Sequence, residues 1–154
     1  MKLFMKTFAV ALFVTGSSAA LAAVVAPDLV KNVDGEVAMS LTGTAGNAED
    51  GAKIFADKKL GNCLACHANK SMSNQLFHGN VGPPLDGVAS RWEPQQIRAI
   101  LVNSKSVFGP DTVMPGFYSL EVGADVRKDL VGKTILSAKQ IEDLVAYLVT
   151  LKEE

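Results

Sequence analysis

The chain has 154 residues, a formal net charge of −1 from 15 basic and 16 acidic side chains, and only two cysteines. This length predicts one domain with a core of its own rather than two. The near balance of charge excludes proteins that bind nucleic acid through a strongly basic surface. The hydrophobic fraction is 48%, but much of the excess lies in the first 23 positions.

Residues 1–22 have the layout of a secretory signal peptide. Lys2 and Lys6 give a basic start, an apolar run covers 7–16, and Ala20-Leu21-Ala22 supplies the small residues of a cleavage site. A retained membrane anchor is disfavoured because that run is about half of the roughly 20 residues that a spanning helix needs. We expect cleavage after Ala22, which takes the net charge from −1 to −3, and a soluble, exported protein.

The next elements are an extension and a first helix. Residues 23–46 mix Gly and Pro with small and polar residues, so we predict an N-terminal extension lying over the surface. Asn47 can cap a helix whose first turn is acidic. Gly51 lies within that helix on the side of Phe55, and because Gly costs about 1 kcal/mol there relative to Ala, it predicts that another helix crosses closely.

Two further helices are predicted from residues that are typical of a helix start. Pro94 fits the first position of a middle helix, and the capping box from Ser137 to Gln140 introduces a last helix that runs to about Lys152. Its apolar positions keep a helical rhythm, namely Ile141, Leu144, Val145, Leu148 and Val149. No strand alternation longer than a few residues appears, so we predict an all-α domain of three or four short helices with long loops, covering 47–154.

Cys63, Cys66 and His67 form the C-x-x-C-H pattern of c-type haem attachment. Two thiols three positions apart on a helical turn reach the two vinyl groups along one edge of the macrocycle, and the adjacent imidazole then faces the iron. A redox dithiol would need a βαβ context, and a closed zinc site would need four ligands, for which His78 is the only strong addition. We predict one covalently attached haem c with His67 as an iron ligand.

The sixth iron ligand must come from elsewhere in the chain. Residues alone leave four candidates, Met39, Met72, Met114 and His78. A lone methionine is more often a core filler than a ligand. The Met-Pro step at 114–115 lies in a loop between the middle and last helices, where it could reach the opposite face of the haem.

Several segments together resemble the class I cytochromes c over residues 47–154. They are Gly51 to Phe55, Cys63 to His67, Gly82-Pro83-Pro84-Leu85, Met114-Pro115 and Asp143 to Leu148. The resemblance implies a class I cytochrome c fold in which the terminal helices cross, with Gly51 and Phe55 against Leu144 and Tyr147.

The same resemblance implies roles for individual residues. Met114 is the sixth ligand, and the carbonyl of Pro83 accepts a hydrogen bond from the second ring nitrogen of His67, which fixes the ring's orientation and basicity. Arg91 lies near the haem propionates. Thioether ligation favours Fe(II) and raises the reduction potential.

Longer segments resemble the SoxX family, the monohaem subunits of the periplasmic SoxAX cytochrome. They are Leu60-Gly61-Asn62 before the haem motif, His78 to Val88, Asp111 to Tyr118, Gly132 to Ser137, and the stretch from Asp34 to Gly43. The resemblance implies a heterodimer with a SoxA-type subunit. It also implies that this haem accepts electrons released when thiosulfate is oxidatively joined to a cysteine of a SoxYZ-type carrier, and passes them to a downstream acceptor.

One constraint comes from the residues themselves. Because two thioethers would consume both cysteines, this chain has no thiol left for sulfur chemistry. The reactive thiol is therefore expected on a partner, and this chain is expected to be a non-catalytic subunit of an L-cysteine S-thiosulfotransferase complex. The alternatives are a free diffusible monohaem carrier, and a catalytic or sensor haem protein, which would need an open iron position.

Overall fold

Four α-helices joined by long loops make up the described residues, 23–121, 123 and 125–153, of a computed structural model. The helices are α1 (Ala48–Ala56), α2 (Val88–Arg91), α3 (Pro94–Phe108) and α4 (Ala138–Leu148), with 3-10 turns at Pro27–Leu29, Cys63–Ala65, Lys70–Met72 and Lys128–Leu130. These residues contain no strand beyond one isolated bridge, between Val33 and Glu36. The all-α prediction is therefore confirmed, while the predicted signal peptide at 1–22 lies outside the described residues.

The helices begin where the sequence predicts. The Asn47 side chain accepts the Asp50 N–H at 3.0 Å at the start of α1, and Pro94 opens α3. At the start of α4, Ser137 and Gln140 form both bonds of the capping box, at 3.3 and 2.8 Å. These side chains satisfy amide groups that have no partner inside a helix.

The end of α4 differs from the prediction. The helix ends at Leu148 rather than near Lys152. Beyond that point the Thr150 hydroxyl donates a hydrogen bond to the Tyr147 carbonyl at 2.6 Å. The chain then turns towards α2, where the Leu151 carbonyl accepts the Ala89 N–H at 3.0 Å.

The first and last helices cross at Gly51, as predicted. A Cβ atom on Gly51 would overlap the backbone carbonyl of Asp143 and press on Tyr147. One turn along α1, Phe55 packs edge-on against the Tyr147 ring, with ring centroids 5.4 Å apart and planes at 64°. The missing side chain therefore lets the two helices approach almost to backbone contact.

Residues 23–46 do more than cover the surface, which corrects the prediction for this segment. Val37 and Leu41 are 4% and 1% exposed and belong to the core. The Glu142 carboxylate accepts the Leu41 N–H at 2.9 Å and also binds Arg98 through two hydrogen bonds of 2.8 and 3.0 Å. Arg98 in turn donates to the Val37 carbonyl at 2.9 Å, so a buried ion pair fixes the extension.

The core lies between α1, α3 and α4 and includes side chains from the loops. Its largest fully buried apolar members are Phe55, Leu41, Leu136, Ile141 and Leu144. Within the part of the chain that the structure describes, no helix has the length and apolar character needed to cross a membrane.

We expect Gly51→Ala to lower the free energy of unfolding of the haem-loaded protein by about 1–3 kcal/mol, because overpacking a tight contact has that cost. At an ordinary helix position the same change would stabilise by about 1 kcal/mol. Denaturant unfolding measures the sign. The exposed Glu49 of the same helix provides the control, since Glu49→Ala should stay within about 0.5 kcal/mol. A stabilised Gly51→Ala would contradict the close crossing.

Candidate haem-binding site

The cysteine motif lies on a tight turn, separated from the end of α1 by residues 57–62. Asn62 enters it in the left-handed conformation, with φ of 49°. The Cys63 carbonyl then accepts the N–H groups of both Cys66 and His67, at 3.1 and 2.9 Å. This single turn brings together the two cysteines and the histidine that the sequence singled out.

The surroundings of Cys63 do not suit a redox dithiol. Burial raises the pKa of the Cys63 thiol to about 12, so at neutral pH it stays protonated. A reactive dithiol needs the opposite, a pKa lowered towards or below 7 by positive charge or a helix N-terminus. The site is therefore built to hold sulfur in an apolar setting rather than to expose a thiolate.

His67 is held from one side by the segment that follows the motif. Its Nδ1 and the Pro83 carbonyl are 2.7 Å apart, which makes Nδ1 the donor and leaves Nε2 as the basic nitrogen. Gly82 lies directly against the imidazole, and a Cβ there would overlap the ring. A ligating histidine is oriented in this way, through its second nitrogen.

Residues 79–85 run beside the haem motif and are bonded to it along their length. Gly79 N–H donates to Leu64 O at 2.7 Å and Gly82 N–H donates to Cys66 O at 2.9 Å. A Cβ on Gly79 would also overlap the backbone of Ala65. Two glycines are therefore needed for this segment to lie so close.

Arg91 is bonded to the backbone of this same segment. Its guanidinium donates to the Pro84 carbonyl through Nη2 and to the Asp86 carbonyl through Nη1, both at 2.8 Å. The structure thus places Arg91 at the loop that carries Pro83. Sequence reasoning assigned Arg91 only to the propionates and did not predict these two bonds.

His78 has both ring nitrogens engaged by the backbone. Nδ1 accepts the Asn69 N–H at 3.3 Å, and Nε2 lies 3.1 Å from the Met72 carbonyl. The neutral tautomer with hydrogen on Nε2 satisfies both contacts. His78 is therefore a structural residue, and the described residues contain no group of three or more His, Cys, Asp or Glu side chains that could hold a metal ion.

A buried polar network, which the sequence did not reveal, joins the haem motif to α4. Asn69, 0% exposed, donates through its side-chain amide to the Tyr147 hydroxyl at 2.7 Å. Its side-chain oxygen accepts the N–H and hydroxyl of Ser71, at 3.0 and 2.7 Å. The only sequence signal was a tyrosine flanking the apolar stripe of the last helix, and a tyrosine hydroxyl needs a partner when buried.

Met114 lies in the loop between α3 and α4 and packs half-buried against the core. That loop is bonded to α3, because the Phe117 N–H donates to Leu101 O at 3.0 Å, and to the segment just before α4, because the Phe117 carbonyl accepts the Leu136 N–H at 2.9 Å. Met39, by contrast, is 76% exposed. The described side chains thus offer a well-anchored methionine in the loop where the sequence placed the sixth ligand.

The residues present fit a covalently attached haem. Two cysteines share one turn, the neighbouring imidazole is oriented through Nδ1, and glycine at 82 removes any side chain from the face of that ring. A zinc site or a redox dithiol has no comparable support from this geometry.

Comparison with known proteins agrees with this reading. A family model for cytochrome c matches residues 48–152. Six chains of solved structures match; one of them, from the crystal structure of SoxXA from P. pantotrophus, is 44% identical, with a TM-score of 0.76. That match covers 83% of this chain and 98% of the other. A search of the curated proteins found no match.

We expect Tyr147→Phe to lower the free energy of unfolding by about 1–3 kcal/mol, because it leaves the buried Asn69 amide without its acceptor. Tyr118→Phe is the matched control: its hydroxyl donates to Val25 O at 2.8 Å in a partly buried position, where water can replace it, so about 1 kcal/mol or less is expected. If denaturant unfolding gives the same loss of free energy for both variants, the Asn69 amide finds another partner and the prediction is wrong.

Proposed function

This chain belongs to the cytochrome c family as a SoxX-type haem c subunit of electron transfer, and we propose that it carries one haem bonded to Cys63 and Cys66. The proposed axial ligands are His67 and Met114. The observation that carries the proposal is the 2.7 Å contact of His67 Nδ1 with the Pro83 carbonyl, beside the turn that presents both cysteines. When bound, haem supplies a reversible one-electron couple of its iron.

On the histidine side, the residues of the chain fix the ligand. The Pro83 carbonyl keeps the hydrogen of His67 on Nδ1, which leaves the Nε2 lone pair available for the iron that a bound haem would supply. Arg91 supports Pro83 from behind by binding the carbonyls on either side of Leu85. A contact of Arg91 with a haem propionate stays a prediction.

On the other side, Met114 would supply a thioether sulfur, which favours Fe(II) and raises the potential relative to a second nitrogen ligand. The engaged nitrogens of His78 support this choice over the histidine alternative. With both axial positions filled from the chain, there is no open position for a substrate, which suits a relay of electrons rather than a catalyst.

The proposed setting follows from the similarity to SoxXA. We propose that this chain is exported through residues 1–22 to the periplasm and pairs with a SoxA-type subunit. There its haem would take up the electrons released when thiosulfate is joined to a cysteine of a SoxYZ-type carrier, and would pass them to a downstream acceptor. Because thioethers consume Cys63 and Cys66, the thiol that reacts with sulfur lies on another chain.

The ligand assignment predicts different outcomes for two substitutions. Met114→Ala should lower the reduction potential, abolish the sulfur-to-iron charge-transfer absorption of the ferric protein, and allow the reduced haem to bind CO, because an axial position opens. His78→Gln should keep the absorption and stay closed to CO. Spectroscopy and potentiometry of the haem-loaded variants decide between them. If the unsubstituted ferric protein lacks this absorption, and His78→Gln rather than Met114→Ala lets the reduced haem bind CO, the sixth ligand is His78.

The subunit assignment predicts a second haem chain in complex with this one. The mature haem-loaded protein, used as bait in a periplasmic extract of its own cell, should capture a chain that stains for haem, and thiosulfate should then reduce the bait's haem. A different monohaem class I cytochrome c serves as the control bait. If the protein stays a stable lone monomer that thiosulfate does not reduce in the extract, it is a free carrier instead.

A further inference from the structure

Helix α3 is interrupted at Asn103. That residue has extended backbone angles, φ −154° and ψ 92°, inside the helix that runs from Pro94 to Phe108. Its side-chain oxygen accepts the Lys105 N–H at 3.2 Å, which is how an asparagine caps a new helix. The Ser106 hydroxyl, in turn, donates to the Asn103 carbonyl at 2.7 Å. The last turn of α3 is therefore a separately capped piece.

The interruption releases two carbonyls for use outside the helix. In an unbroken helix the carbonyls of Leu101 and Val102 would accept N–H groups four positions later. Here they accept the N–H groups of Phe117 and Tyr118, at 3.0 and 3.1 Å. These two residues follow Met114, the proposed ligand, in the same loop.

The capped piece holds the beginning of the same loop. The Lys105 ammonium group donates to the Thr112 carbonyl and the Ser104 hydroxyl donates to the Met114 carbonyl, both at 2.5 Å. Ser104 is 0% exposed, so water does not compete for this bond. The loop thus runs back along α3 from Lys105 to Leu101, with bonds on both sides of the break.

Gly116 allows the loop to lie this close to the break. A Cβ atom there would come within 3.1 Å of the Asn103 side-chain oxygen and of the Val102 carbonyl. The loop backbone therefore packs closely against α3 at the position of the break.

We infer that Asn103 and Ser104 are positioning residues for Met114: the broken, recapped end of α3 holds the methionine loop in the place from which its sulfur ligates iron. This rests on the proposed function, since it takes Met114 as the ligand. The role inferred for Asn103 and Ser104 needs no contact with the haem. They act through the loop backbone, by freeing two carbonyls and by binding the carbonyl of the ligand residue itself.

The test uses the haem-loaded full protein and reads the strength of sulfur ligation. Ser104→Ala should weaken the charge-transfer absorption, lower the reduction potential, and speed the binding of cyanide to the ferric protein by about three- to tenfold, as expected for one lost buried hydrogen bond. Asn103→Ala should change the absorption, the potential and the cyanide rate in the same direction. The helix can then continue through residue 103, so that the carbonyls of Leu101 and Val102 bond within the helix instead of to the loop.

Two further variants separate positioning from general stability. Asn103→Asp keeps a side-chain oxygen that caps the Lys105 N–H and should restore the signals that Asn103→Ala loses. Ser40→Ala removes a hydroxyl that also donates to a backbone carbonyl, that of Thr44 at 2.7 Å, and should leave sulfur ligation unchanged. Folding is verified for each variant by circular dichroism and haem content.

The outcomes distinguish this inference from the function on which it rests. If the unsubstituted protein shows sulfur ligation but Ser104→Ala and Asn103→Ala match Ser40→Ala in absorption, potential and cyanide rate, the positioning role is overturned and the ligand assignment stands. If the unsubstituted protein shows no sulfur ligation, both are overturned.

Discussion

The close crossing of α1 and α4 is the contact on which the rest of the structure depends. Gly51 brings α1 almost to the backbone of α4 at Asp143, and Tyr147, on the same face of α4, then reaches past α1 to the buried amide of Asn69. Asn69 follows His67 by only two positions. The crossing therefore helps to fix the path of the chain just after His67, the proposed iron ligand.

The buried ion pair of Arg98 and Glu142 fixes another part of the chain, residues 23–46. The Glu142 and Arg98 side chains are 3% and 11% exposed, and burying two such charges costs several kcal/mol for each, which attraction offsets only when the geometry is good and other bonds are satisfied. Here both ions also bond to the backbone, at Leu41 and Val37. The pair is therefore better understood as selecting one placement for residues 23–46 than as a large source of net stability.

Local patterns predicted much of the fold because helix starts are decided within a few residues. Asn47 and the Ser137 capping box bind amide groups of the following turn, and Pro94 has no N–H that would need a partner there. The sequence therefore predicts where these three helices begin. The break at Asn103 could not be predicted in this way, since the partners of the freed carbonyls lie sixteen positions later, in a loop. An asparagine among the apolar positions of a helix predicts a break in that helix only when the partners of the freed carbonyls are known.

The haem site also has a part that local sequence predicts and a part that depends on residues distant in the chain. Cys63, Cys66 and His67 are adjacent in the chain, and their spacing alone carries the chemistry. The support from Pro83 spans sixteen positions and was reached through resemblance to a family, not from the residues. The clamp of Arg91 on that loop was missed because a guanidinium that binds backbone carbonyls leaves no pattern in side-chain types.

This division has a physical consequence for a protein that relays electrons. His67 is next to a cysteine that would be covalently bound, and it is held by a local bond to the Cys63 carbonyl as well as by the Pro83 carbonyl. Met114 is 47 positions away from His67, and its loop is held by tertiary contacts with α3 and with Leu136, just before α4. Hydrogen bonds of that kind contribute about 1 kcal/mol each, so the methionine side opens at a lower free energy than the histidine side. With Met114 as the proposed sixth ligand, and because axial ligation controls the potential, the packing of the methionine loop on α3 would govern the electron affinity of the haem more than the attachment motif does.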